Sequence, residues 1–387
     1  MTAPLYTILF SGMVAGVPYQ GGATWVVLQY LLGFRRLGHE VYLVEPVNHA
    51  ALQPTGAALD SSINARYFQE VMADFGLRES ATLLLRDTTQ TVGLPYPRLR
   101  EVARRADVLI NVAGMLRDPA LVERIATRVY LDLDPAFVQL WQAVEGIDMH
   151  FDGHTHFVTV GMAIGQPGCD VPMCGHAWIR TLQPVVLERW PVATRVTRDA
   201  LTTVGNWRGY GSIEHDGALY GQKVHSLRPL ITLPRQTAEK FVLALAIHPG
   251  EERDLCALAT HGWEVVDPAR VARTPDRYQR FIQGSKAELG LVKSGYVLSR
   301  CGWFSERSVC YLASGRPVIA QDTGFSRFLP TGAGLFAFDT RDDILSSIEK
   351  LNRDYVSQAR AAREIAEQHF DSDRVLTALL DRLGARI

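Results

Sequence analysis

The sequence predicts an α/β protein built from two Rossmann-like domains in series. In each half, apolar runs of strand length alternate with stretches of helix length, the pattern of a parallel sheet covered on both faces by helices. Between the halves, over residues 165–193, the periodicity fails. Pro167, Pro172, Pro184 and Pro191 accumulate there with Gly168 and Gly175, as an interdomain connection requires. A chain of 387 residues is also long enough to give each half its own core. The expected division is 1–185, 186–360 and a helical segment 361–387 free to cross back to the first domain.

The elements follow in order. Residues 5–10 read as a buried strand, and the loop 11–22 after it carries Gly12, Gly16, Gly21 and Gly22. Thr24 caps a helix that runs to about Leu37, with Val27, Leu28, Leu31 and Phe34 on one face and Gly38 at its end. Residues 40–45 form the next strand. Further strands are expected at 82–85, 107–113 and 127–132, and helices near 61–75, 99–106 and 119–126. Residues 146–160 extend this half. The second series has strands at 201–204, 241–247, 263–266, 296–299, 318–321 and 335–338. Helices over 341–352, 355–369 and 372–383 close the chain.

Residues 299–325 concentrate the chemistry. Ser305, Glu306 and Arg307 precede a helix-compatible run, 308–313, and a helix start beside a guanidinium is an anion site. Gly315 stops that helix and Pro317 forbids its continuation. Val318, Ile319 and Ala320 then read as a buried strand that delivers Gln321, Asp322, Thr323 and Gly324 at its carboxyl end, where ligands sit in open α/β sheets.

This order of polar cluster, helix, small-Gly-x-Pro-Val-Ile-Ala and polar loop resembles the donor-site segment of GT-B fold glycosyltransferases, near the family 4-like and CgeB-like groups. The opening strand, Gly-rich loop and helix, followed by Leu37, Gly38, His39, Glu40 and Val41, resembles the start of GT-B proteins. The resemblance implies two Rossmann-like domains facing each other across a cleft. It also implies transfer of a sugar from a nucleoside-diphosphate sugar, held mainly by the C-terminal half, to an acceptor hydroxyl or amine. Neither a metal nor a cofactor beyond the co-substrate is expected. The chain departs from many retaining members at their Glu-x7-Glu pair, whose positions hold Gly302 and Cys310.

On this reading the diphosphate charge falls to fixed donors and cations. Ser305, Glu306 and Arg307 are one candidate group. Asn206 and Arg208, in the loop 205–209, are a second, and Gly21 and Gly22 before a helix start are a third. Asp322, Thr323 and Gly324 match the hydroxyls of a sugar, and Glu306 those of a ribose. Asp134 and His154 are the candidates for deprotonating an acceptor, with helix capping the competing role for Asp134. Tyr19, Trp25 and Trp141 are candidates for lining an acceptor cleft. Asp132 and Asp134 have the spacing of a metal-binding pair, but of a fold with a single nucleotide domain. Cys169, Cys174 and His176, with His154 and His156, match no common zinc spacing.

Composition narrows the classes. A net charge of −1, from 40 basic and 41 acidic residues with no basic block, argues against a non-specific nucleic-acid binder. Hydrophobic content of 47% with 21% charged residues is that of a globular protein. Five scattered cysteines favour a reducing compartment over a disulfide framework. The first apolar run, 6–10, is too short for a signal peptide or a membrane span, so a cytoplasmic setting is expected. Three alternatives stay open: a sugar-nucleotide epimerase or hydrolase on the same fold, a silent sugar-nucleotide-binding subunit, and a dinucleotide-dependent oxidoreductase. For the last, Glu45 suits the acid that ends the second strand, but the loop glycines are too widely spaced.

Overall fold

The computed structural model describes residues 5–384. The first half is an eight-stranded sheet: β1 (Thr7–Ser11), β2 (Glu40–Val47), β3 (Ala81–Leu85), β4 (Thr91–Gly93), β5 (Val108–Val112), β6 (Thr127–Asp132), β7 (His156–Thr159) and β8 (Trp178–Arg180). Their spatial order is β4-β3-β2-β1-β5-β6-β7-β8, parallel except for the β3/β4 pair. The second half comprises β9 (Arg198–Asn206), a hairpin of β10 (Ile213–His215) and β11 (Ala218–Tyr220), then β12 (Phe241–Ala246), β13 (Trp263–Val266), β14 (Ser285–Gly290), β15 (Val318–Gln321) and β16 (Leu335–Phe338). Its main sheet runs β13-β12-β9-β14-β15-β16, parallel throughout. Each sheet therefore starts at its middle and reverses strand order there, at β1 and at β9. Such switch points open a crevice at the carboxyl ends of the strands.

One expected strand is wrong. Residues 296–299 lie in a helix, Ser294–Ser299, and the strand that fills this place in the sheet is β14. Its sequence, Ser-Lys-Ala-Glu-Leu-Gly, shows no apolar run because its polar residues are satisfied from elsewhere. Ser285 accepts from Thr202 on β9, and Glu288, fully buried, is paired with Arg307. The expected connection 165–193 contains the edge strand β8, and the helix expected over 119–126 is only Pro119–Val122. The helix expected over 355–369 is Tyr355–Ile365, continued by a π turn, Ala366–Phe370.

A continuous apolar core joins the halves: Trp25, Phe34 and Val158 belong to the same cluster as Trp190, Tyr278, Tyr311 and Phe370. Trp25 is buried, and its Nε1 donates to Pro275 O at 2.9 Å, so it packs the interdomain seam instead of lining an acceptor cleft. The helix Ser372–Arg382 crosses back onto the helix Gly21–Arg36. A Cβ on Gly33 would lie 2.5 Å from Leu376 Cδ1 and 3.0 Å from Ser372 Cβ, so the absence of a side chain lets the two helices approach closely. The return is tied by Val185 N–H donating to Phe370 O at 2.7 Å and Ser372 N–H to Val185 O at 2.9 Å.

Candidate functional site

The two switch points face each other around one cavity of about 400 Å³. From the first half come Tyr19, Gln20, Gly21 and Gly22, beyond the carboxyl end of β1 and at the start of the helix Gly21–Arg36. From the second half come Val204, Gly205 and Asn206 at the end of β9, and Glu306 and Arg307 at the start of the helix Glu306–Ala313. Gly21, Gly22, Asn206, Glu306 and Arg307, far apart in sequence, are thus brought together. Ser305 stands behind them as the N-cap, its Oγ accepting from Arg307 N–H at 3.2 Å.

The glycines are required by the second half. Gly21 N–H donates to Ala272 O at 3.0 Å, and a Cβ there would lie 2.4 Å from Thr274 O. A Cβ on Gly22 would lie 2.9 Å from the Tyr278 ring. The helix they open has no acidic residue in its first turn, so past the engaged Gly21 amide its start, at Gly22 and Ala23, borders the cavity without an acid of its own.

Arg307 is almost fully buried. Its Nε donates to Glu288 Oε1 and its Nη1 to Val204 O at 2.8 Å, while Nη2 is buried without a partner. Burial works against its charge, but Glu288 and the neighbouring Tyr278 and Glu306 outweigh it and hold the guanidinium protonated. Burial raises the Glu306 carboxyl, Arg307 opposes this, and the charges of Glu288 and Asp134 add to the rise. Arg307 and Glu306 line one cavity, and a guanidinium beside a desolvated carboxyl suits a ligand that carries both anionic oxygens and hydroxyls.

Two lysines went unnoticed in the sequence. Lys223 is buried with Nζ donating to Leu291 O, and it packs against Gly205, where a Cβ would lie 3.2 Å from Lys223 Cε. Burial first, and then the charge of Arg307, drive its pKa well below the usual lysine value. An anion in the adjacent cavity would restore that charge. Lys293 stands between Asp134 and Glu306, with burial lowering its pKa and both carboxylates opposing. Neither lysine lies in a periodic pattern, and only the folded chain brings them to the cleft.

Several candidates are placed elsewhere. Arg208 pairs with Glu251 at the surface, because Trp207 turns inward to donate to Asp254 Oδ2 at 3.0 Å and the next residue must point out. Asp322 caps its own loop, accepting from Gly324 N–H at 2.9 Å and Ser326 Oγ at 2.7 Å. Thr323 donates to Trp303 O, and Gly324 (φ +91°) packs where a Cβ would lie 2.8 Å from Arg300 O. These three residues clasp the segment before the site and lie outside the lining of the cavity.

The two candidate bases are also occupied. Asp134 accepts from Lys293 at 3.2 Å, Tyr210 at 2.5 Å and Tyr296, all from the second half, so it anchors the domains to each other. His154 takes Asn111 Nδ2 on Nε2 at 3.0 Å and faces Phe151 O from Nδ1 at 3.1 Å, with its ring edge-on to Tyr130. Both ring nitrogens are committed inside the first domain. Trp141 likewise packs in an aromatic cluster, 4.6 Å from the Tyr210 ring. Of the three aromatic candidates Tyr19 alone reaches the cavity, with Arg273 lying 3.7 Å over its ring.

Two discounted motifs have internal roles. Asp132 is fully buried and accepts from Thr159 Oγ1 at 2.8 Å, Gln139 Nε2 at 2.9 Å and Asp134 N–H at 2.9 Å. Glu45 accepts from Ala15 N–H at 2.9 Å and Gly16 N–H, so it folds the loop after β1 and cannot reach a ribose. The oxidoreductase reading loses its acid there. A larger groove, of about 690 Å³, runs between the end of β8 and the terminal helix and shares no lining residue with the cavity at the switch points.

No family model matches the chain, and no curated relative matches it. Solved structures do. An alpha-glucosyltransferase in complex with UDP and a 13-mer DNA is similar with a TM-score of 0.59 at 12% identity, over 97% of this chain and 99% of that one. HepE of Anabaena in complex with UDP-glucose gives 0.58 at 12%, over 98% and 99%. A glycosyltransferase from Rickettsia africae ESF-5 gives 0.52 at 12%, over 98% of both chains. At these identities the likeness establishes the fold, and the chain has the GT-B architecture: two Rossmann-like domains facing each other across a cleft.

Proposed function

We propose that the chain is a glycosyltransferase that moves a sugar from a nucleoside-diphosphate sugar to an acceptor hydroxyl or amine. The observation that carries this is the cavity where the strand ends of both sheets meet. It is lined by Arg307, by Glu306 and by an acid-free helix start. In this reading Arg307, Lys223 and the amides at Gly22 face the diphosphate, and Glu306 accepts from the ribose hydroxyls. Asn206 borders the donor, and Ser305 holds the helix start in place. Charge on the leaving diphosphate is then offset by fixed cations and dipoles, with no metal ion required.

UDP is the first nucleotide to test, because the similar glycosyltransferases above include complexes with UDP and UDP-glucose. A hexosyl group as the sugar belongs to the same proposal. The family 4-like and CgeB-like placement rests on residues 299–325 alone. No helix among the described residues is long and apolar enough to cross a membrane, and the five cysteines are free thiols. A cytoplasmic enzyme acting on a small-molecule donor fits both.

The test is a calorimetric screen of UDP, GDP, ADP, CDP and TDP and their sugars, with and without EDTA, and with NAD(P) alongside. One nucleoside diphosphate is expected to bind regardless of EDTA, with affinity falling about tenfold in Glu306→Gln. Binding of NAD(P) alone, or of no nucleotide, would overturn the proposal.

A further inference from the structure

A second cavity, of about 320 Å³, opens at the carboxyl edge of the first sheet, beyond β2, β3 and β5. Arg86 and Arg117 both line it. Arg86 follows β3 directly, its N–H bonded to Val47 O at 2.9 Å, and Arg117 follows the turn that leaves β5. Neither guanidinium takes part in any ion pair among the described residues.

Arg86 is poorly served by the protein. Its Nη2 reaches Met115 O only at 3.4 Å, and its Nε is buried without a partner. Burial and the charge of Arg117 both lower its pKa, with the exposed Asp87 acting in the opposite sense. Arg117 Nη1 meets only His150 Nε2, at 3.3 Å. The acid on the other rim is engaged, since Asp118 accepts from Tyr96 OH at 2.6 Å and Ala120 N–H at 3.0 Å. Asp87 also lines the cavity, but among the described residues neither it nor Asp118 forms an ion pair with either guanidinium, and two cations left without a paired carboxylate are unfavourable until an anion enters.

The wall of the cavity is also held in advance. The turn 113–116 places Ala113 and Gly114 at φ +49° and +63°. It is clamped by Asn111, whose Oδ1 accepts from Leu116 N–H at 2.9 Å and whose Nδ2 donates to Leu116 O at 2.9 Å. The second Nδ2 hydrogen goes to His154 Nε2, so His154 is a positioning residue for this turn. A rigid wall lowers the ordering cost of binding.

We infer that the Arg86–Arg117 cavity is an anion subsite that takes a phosphate or carboxylate group carried by the acceptor. The anion subsite stands on its own residues, whereas its assignment to the acceptor rests on the function proposed above. The subsite lies on the same edge of the sheet as Gly21 and Gly22, so an acceptor anchored there enters from the cleft side.

Calorimetric titration of the full chain with sodium phosphate, and separately with sodium acetate, at constant ionic strength tests it. At least one anion is expected to bind saturably, about tenfold more weakly in Arg86→Gln and in Arg117→Gln, and to an intermediate extent in Arg86→Lys. Phosphate alone marks a phosphorylated acceptor, and acetate alone a carboxylated one. No saturable binding by either, or unchanged binding in glutamine variants that melt like the parent, overturns the subsite. So does displacement of the anion by UDP, which would place it in the donor cavity. Anion binding that persists while no nucleotide binds would fail the donor reading and leave the anion subsite intact.

Discussion

Arg307 and Glu288 form a buried ion pair that ties the helix Glu306–Ala313 to β14, with Glu288 fully buried and Arg307 nearly so. A pair of this kind is costly to break from one side, because the remaining charge is left without water or a partner.

Arg307→Ala is therefore expected to destabilise the fold by about 3–5 kcal/mol. Urea denaturation measures this. Replacing both partners, Arg307→Met with Glu288→Leu, should recover most of the loss, because no buried charge then remains. A single variant within about 1 kcal/mol of the parent would show that water reaches Glu288.

Gly21→Ala forces a Cβ to within 2.4 Å of Thr274 O across the domain seam. The seam must move, and a loss of about 1–3 kcal/mol is expected from overpacking. Gly211→Ala is the control, since a Cβ there meets nothing within 4 Å. Equal thermal midpoints for the two variants would mean that the seam yields freely.

Arg208 and Asp322 are expected to separate from the donor site. Arg208→Ala removes a surface pair with Glu251, so nucleotide affinity should be unchanged and stability altered by less than about 1 kcal/mol. Asp322→Ala removes the acceptor of Gly324 N–H and Ser326 Oγ, and a loss of about 1–2 kcal/mol is expected with nucleotide binding retained. Calorimetry of each variant with the nucleotide that binds the parent would show a tenfold or greater loss if either touched the ligand.

Stability should depend on pH through buried groups. Burial pushes Glu45 up to about 7 and Asp132 up to about 6, against the backbone and side-chain bonds that favour their charged forms. Both carboxyls bind protons more tightly folded than unfolded. Their contribution is thus full at low pH and is lost as pH rises through about 6 and 7. His154 acts in the opposite sense: burial lowers its pKa, so its contribution is present above the ordinary histidine value and is lost as pH falls. Through Glu45 and Asp132 the denaturation midpoint should decline between about pH 4 and pH 7, with His39, His154, His225 and His369, all lowered by burial, opposing below the ordinary histidine value. Glu45→Gln should flatten that decline. An unchanged slope would mean that Glu45 is ionised throughout.

The fold was largely legible because parallel strands buried on both faces are short apolar runs, and most of those in both halves stand out. In the second sheet β14 was hidden because the partners of Ser285 and Glu288 come from Thr202 and Arg307. At the site, the helix start at Ser305, Glu306 and Arg307 was readable from capping chemistry and the Gly315 stop. The reach of Arg208, Asp322 and His154 was not, since each points where a local neighbour takes it: Glu251, Gly324 with Ser326, and Asn111.

By itself, then, the sequence determined the alternation of strand and helix, the two-domain division of labour it suggests, and the places where helices begin beside polar loops. These depend on residues close in the chain, through periodicity and capping. Only the tertiary structure decided which of those loops share a cavity, that Lys223 packs behind Gly205, and that Asp134, with Lys293, bridges the domains. Burial and pairing of charge are set by residues distant in sequence, and a side chain's role in the cleft follows from what the other half leaves unpaired.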